Sequence, residues 1–253
     1  MSARCIRVFG RPSSSNTQKV LWALREAGVP FQLTLASARL GPGSSHLATD
    51  PALAFGVVDT PEYLAMNPHG TIPTLVDRED CIWESHTIVR YVAATYKPEL
   101  LGSSAKASSW MDWVSHGSDF SPCFTTADHH LVDQVARTAP EQRSRDAIDA
   151  AHDMYQHLFA KVETQLAATP GVFMLGKDLT VADIPIGCQL NRWSLALHRL
   201  EQDGTELDMP RLPRLAEFYQ TLIAREAFDS AVYLPEAEHE QVASDARVLY
   251  GQR

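Results

Sequence analysis

Residues 72–96 read IPTLVDREDCIWESHTIVRYVAATY, and the order of patterns in this stretch decides the fold. Ile72 to Val76 is a short apolar run, Asp77 to Asp80 a charged turn, and Cys81 to Trp83 a second short run. Together they read as two strands joined by a tight connection. The segment from Glu84 to Tyr96 then reads as a helix. Pro73 stands at the entry to its strand and has no N–H to give the sheet.

Upstream, Cys5 to Phe9 reads as a strand, and the polar run Ser13-Ser14-Ser15-Asn16 offers caps for a helix carrying Val20, Leu21, Leu24 and Ala27 at helical spacing. Gly28 and Pro30 end that helix. The run from Phe31, FQLTL, is a second strand, and the crossover between the two is long enough for parallel pairing. Residues 36–60 show no sustained period and read as a long surface loop, followed by a short helical patch at EYLAM.

Downstream the pattern changes. YKPELLGSS breaks every period and reads as a linker, after which strand signals give way to helical ones. Ile148, Ala151, Tyr155, Leu158, Val162 and Leu166 form a buried stripe on one long helix, stopped by Pro170 and Gly171. Thr180 and Asp183 have capping-box spacing, so a buried helix starts there and Asp183 is structural. The expected division is an α/β domain over 1–95, a linker over 96–104 and an all-α domain over 105–253, with a polar tail after Pro235.

Composition narrows the function. A chain of 253 residues, 45% hydrophobic and 21% charged, is long enough for two folded domains. Its net charge of -9 argues against nucleic acid and anionic membrane as partners. The four cysteines are far apart, without zinc spacing, which suits a reduced thiol set. Asp128-His129-His130 reads as a solvated loop, so no metal is expected. Neither a signal peptide nor a membrane span is evident, and the expected location is the cytoplasm.

The motifs SSSNTQKVLWALREAGVPF, NPHGTIPTL, WESHTIVRYVAATY and LTVADIP follow one another at spacings that resemble the glutathione transferase superfamily. The resemblance covers nearly the whole chain. It implies a thioredoxin-like N-terminal domain that binds the tripeptide, followed by a helical bundle that holds a small apolar electrophile. It also implies a homodimer, a role in detoxification, and no cofactor beyond glutathione as co-substrate.

Site roles carry over residue by residue. In the family the bond matching Ile72-Pro73 is cis, and the Ile72 backbone would pair with the bound tripeptide's cysteine as an added strand does. The resemblance assigns the γ-glutamyl carboxylate to Ser85, acting as cap and binding group together, and the α-amino group to Glu84. A free thiol is mostly protonated at neutral pH, so an anion stabiliser is needed at the start of the first helix. Alignment on Lys19-Val20 points to Ser14, supported by Asn16, as in theta-like and nu-like members of bacterial or fungal type.

Two positions depart from the family pattern. Thr71 replaces a basic residue that many relatives aim at the glycine carboxylate, and the stretch from Ser37 to Leu53 is an insertion containing His46. For the electrophile the family's helical wall maps onto Trp113, His116 and Phe120. Two alternatives stand beside transfer: a nu-like glutathione-dependent disulfide or peroxide reductase, and a binding protein without turnover.

Overall fold

The structure is a computed structural model and describes residues 6–36, 58–116 and 123–232. Cys5, the 37–53 insertion with His46, Phe120 and the tail after Pro235 lie outside the described residues. The chain divides into two compact units, residues 1–98 with 226–253 and residues 99–225.

The first unit is built on a four-stranded sheet of order β2-β1-β3-β4, with β1 Ile6–Gly10, β2 Phe31–Leu35, β3 Thr74–Asp77 and β4 Asp80–Trp83. β1 and β2 run parallel, Val8 beside Leu33, and β3 lies antiparallel to both β1 and β4. The parallel pair is connected through helix α1, Ser15–Glu26. That helix starts where Ser14, in extended conformation, accepts from the Thr17 N–H at 3.4 Å. It stops where Gly28 takes φ +64°, and the Val29 N–H closes on Leu24 O at 3.0 Å.

A short helix α2, Pro61–Met66, precedes β3, and α3, Ser85–Tyr96, follows β4. Asp77, at the end of β3, accepts hydrogen bonds from the Tyr91 and Tyr96 hydroxyls of α3. Helix α9, Glu226–Ala231, groups with this unit, although the sequence reading counts it in the helical domain. The reason is local: Phe228 stands edge-on to the fully buried Trp22 of α1, ring centroids 4.7 Å apart.

The second unit is helical: α4 Ser104–Trp113, α5 Phe124–Val132, α6 Arg145–Ala168, α7 Asp183–Gln202 and α8 Pro213–Ile223. The expected stripe on α6 is buried from Ile148 to Leu166. Each such large apolar side chain contributes about 1.5–3 kcal/mol on burial. Phe124, Tyr155, Phe159 and Trp193 form its aromatic centre, with Phe124 4.7 Å and Trp193 5.0 Å from the Phe159 ring. Asp128, His129 and His130 lie on helix α5 and not on the expected loop. Asp128 is buried because Arg192 Nε donates to it at 2.8 Å.

Asp183 holds the entrance to α7. Its carboxylate accepts from Met174 N at 2.7 Å, Thr180 N at 2.8 Å and the Thr180 hydroxyl at 2.9 Å. Burial nevertheless raises its pKa from 3.8 to about 6, the hydrogen bonds opposing that rise. The folded state therefore holds this proton more tightly than the unfolded chain. Its contribution to stability is full below pH 3.8 and is lost as the pH climbs through about 6. Asp183→Asn is expected to cost about 1–3 kcal/mol by leaving a backbone donor unpaired. The stability gap between parent and variant, read from urea unfolding, should narrow as pH rises from 4 to 6.5.

Candidate functional site

Four of the residues singled out in the sequence, Ser14, Asn16, Glu84 and Ser85, stand at the starts of α1 and α3, and these two starts touch. Ser14 is the N-cap of α1, and Asn16 lies in its first turn. The Ser85 hydroxyl donates to Asn16 Oδ1 at 3.3 Å across 69 positions of sequence. That contact joins the residue assigned to the thiol side with the residue assigned to the carboxylate side. Both helix starts carry a partial positive charge from N–H groups without helical partners.

The cap of α3 is Glu84, and Ser85 is its first helical residue, which corrects the expectation that Ser85 is the cap. Glu84 adopts φ 66°, ψ 114°, a region that costs a side-chain-bearing residue about 1–3 kcal/mol. Its carboxylate makes no capping hydrogen bond and is exposed. The backbone is thus bent to turn out an acidic group at the mouth of a helix, while the Ser85 side chain turns in and is buried.

Ile72-Pro73 is cis. The segment ahead of it is fixed by three side chains that the sequence reading passed over. Fully buried Asn67 donates through Nδ2 to Thr71 O at 2.9 Å and to the Thr74 hydroxyl at 3.0 Å. Its Oδ1 accepts from His69 N at 3.0 Å, closing an Asx turn. The Tyr63 hydroxyl donates to Thr71 O at 2.7 Å and meets the Thr74 hydroxyl at 2.9 Å. Burial raises the Tyr63 pKa, keeping the phenol protonated as that donor requires. Ile72 packs against the cluster of Ala36, Val58 and Tyr63. The Asn-Pro dipeptide was the signal available for Asn67, since it marks a turn. Thr71 itself is exposed, its carbonyl committed to Tyr63 and Asn67.

In the second unit, Trp113 lines a groove of about 280 Å³ with Lys106, Ser109, Trp110 and Lys161. The two indoles meet edge to face, centroids 5.3 Å apart. His116 is exposed, its Nδ1 2.8 Å from Asp112 O, and it stands outside that lining. Among the described residues no group of His, Cys, Asp and Glu is arranged to hold a metal ion, and no helix is long and apolar enough to cross a membrane.

The glutathione S-transferase N-terminal domain family matches residues 13–95, and the glutathione S-transferase C-terminal domain family matches residues 145–221. The chain is 31% identical over 237 residues to glutathione S-transferase GstB of Escherichia coli, covering 91% of this chain and 99% of that protein. A crystal structure of the theta class glutathione S-transferase from Xanthomonas axonopodis pv. citri with glutathione bound superposes with a TM-score of 0.73. It is 31% identical and covers 92% of this chain and 99% of its own. Glutathione transferase F7 from Populus trichocarpa, 20% identical with a TM-score of 0.65, shares the fold over 95% of this chain and 99% of its own.

The backbone at Glu84 yields a direct test. Glu84→Gly removes the penalty for positive φ, whereas Glu84→Ala keeps it. Urea unfolding should find the glycine variant about 1–3 kcal/mol more stable than the alanine variant. Equal stabilities would show that the backbone there is unstrained.

Proposed function

The chain belongs to the glutathione S-transferase family, and from that premise we propose how its residues carry out glutathione transfer. Ser14 and Asn16, with the start of α1, stabilise the thiolate of glutathione. The Ile72 backbone pairs with the tripeptide's cysteine, Ser85 receives the γ-glutamyl carboxylate and Glu84 the α-amino group. The observation that carries this reading is the Asn16–Ser85 hydrogen bond of 3.3 Å, because it brings together the residues that the reading assigns to the thiol and to the carboxylate.

Residues 1–95 form the tripeptide-binding domain in this reading, and the helical domain from residue 105, after the 96–104 linker, receives the electrophile. Trp113 supplies an apolar wall for it, and His116 and Phe120 are assigned to the same substrate. Thr71 leaves the glycine carboxylate to a polar contact weaker than an ion pair. The glutathione-bound Xanthomonas relative supports the same ligand here, and its theta-class assignment fits a serine at the thiol site. A cytoplasmic homodimer acting in detoxification completes the assignment.

Catalysis follows from two effects. Lowering the thiol pKa raises the fraction of nucleophile at neutral pH, and holding it beside a bound electrophile replaces a bimolecular encounter. The nu-like alternative, reduction of a disulfide, draws on the Ser-x-Asn spacing of Ser14 and Asn16 and requires a second glutathione beside the first.

Ser14→Ala should lower kcat/KM toward a chloronitrobenzene and move the pH of half-maximal rate upward, read from a pH–rate profile. An unchanged profile removes Ser14 from the thiol site. Turnover of a hydroxyethyl disulfide faster than that of the aryl halide would favour the reductase.

A further inference from the structure

Lys19 lies on α1, and its side chain has no exposed surface at all. Lysines are almost never fully buried unless paired, and on a helix they ordinarily run their ammonium out to water. Here the side chain runs back along the helix, as helical side chains do, and its Nζ reaches Asn16 Oδ1 at 2.8 Å. The same ammonium lies 3.2 Å from His86 Nε2, on the second residue of α3.

An ammonium has three donors and no acceptor, and this chemistry fixes the groups around it. The atom of Asn16 facing Lys19 must be the carboxamide oxygen. His86 must present an unprotonated Nε2, which places its ring proton on Nδ1. Asn16 Oδ1 also accepts from the Ser85 hydroxyl, so its oxygen is engaged on two sides. The amide nitrogen of Asn16 is consequently held on the opposite edge, as a donor.

We propose that Lys19 is a positioning residue for glutathione transfer: its buried ammonium, held between Asn16 and His86, locks the Asn16 amide with nitrogen, not oxygen, turned toward the thiolate. The proposal rests on the assignment of Asn16 to the thiol site. Without the ammonium, an asparagine amide can turn over, since oxygen and nitrogen occupy nearly the same volume. An inverted amide presents an oxygen to the sulfur anion, and a stabilising contact becomes a repulsive one.

The test uses the full chain and three substitutions, with the ultraviolet thiolate band of bound glutathione at neutral pH and steady-state kinetics as readouts. Lys19→Met should weaken the band and lower kcat about tenfold, less than the roughly hundredfold or greater loss that follows outright removal of a catalytic hydrogen-bond donor because Asn16 itself remains, with KM for glutathione changed much less. Asn16→Ala should lower both as well, and adding Lys19→Met to it should lower them no further, because the lysine acts through the asparagine. Independent, multiplying losses would overturn the proposal in favour of a general structural role.

Asn16→Asp provides the check if Lys19→Met does not fold. It keeps the size of the side chain and the partner of Lys19 but places an oxygen where the amide nitrogen stood, so the band should disappear. A band retained in Asn16→Asp would overturn the proposal. A band absent from the unaltered protein with glutathione bound would overturn the Ser14 and Asn16 assignment itself, and Lys19 with it. A band present there but unchanged in Lys19→Met overturns only the role of Lys19.

Discussion

The contact between the first turns of α1 and α3 is the constraint on which the site depends. Each helix alone presents a few unsatisfied N–H groups and a weak local field. Tied together by Asn16, Ser85, Lys19 and His86, they become one polar surface whose parts keep fixed distances. The sheet serves this contact: β1 delivers the chain into α1, and β4 delivers it into α3. Asp77, accepting from Tyr91 and Tyr96, anchors α3 to the end of β3.

A second polar cluster does the equivalent work for the segment before β3. Asn67, Tyr63 and Thr74 satisfy one another and the Thr71 carbonyl, so the loop is held by buried hydrogen bonds and needs no helix or strand of its own. Buried polar groups are costly when unpaired and specific when paired. In this unit they fix the starts of α1 and α3 and the segment before β3, to which the proposed reading assigns the peptide's charged ends and main chain. In the helical unit Asp128 with Arg192, and Asp183 with two backbone N–H groups, play purely structural parts.

Much of this was legible in the sequence because local rules and tertiary demands agree. The serine cap before Val20, the turn at Asp77 to Asp80, the α6 stripe and the Asp183 carboxylate reaching back to the Thr180 N–H each follow from side-chain periodicity or from local hydrogen bonding, although α7 itself starts at Asp183 with Ala182, not Thr180, as its cap. The parts that were not legible depend on partners distant in sequence. Nothing near Lys19 says that its ammonium is buried, since its acceptor His86 lies 67 positions away. The buried role of Asn67 is set by Thr71 and Thr74 only once the chain has turned back on itself. Glu84 reads as an ordinary strand-to-helix junction, and its positive φ emerges only when β4 and α3 are both in place. Likewise α9 is short and weakly patterned, and it is Trp22 that brings it to the first unit.

The most direct measurement is a crystal structure with glutathione bound. The γ-glutamyl carboxylate should accept hydrogen bonds from the Ser85 N–H and from the Ser85 hydroxyl, whose single proton turns to it from Asn16 Oδ1 while Lys19 keeps that oxygen, with the sulfur lying at the start of α1 next to Ser14 and the amide nitrogen of Asn16. Glutathione bound with its carboxylate away from Ser85, or with its sulfur remote from the first turn of α1, would contradict the claim that these two helix starts form the site.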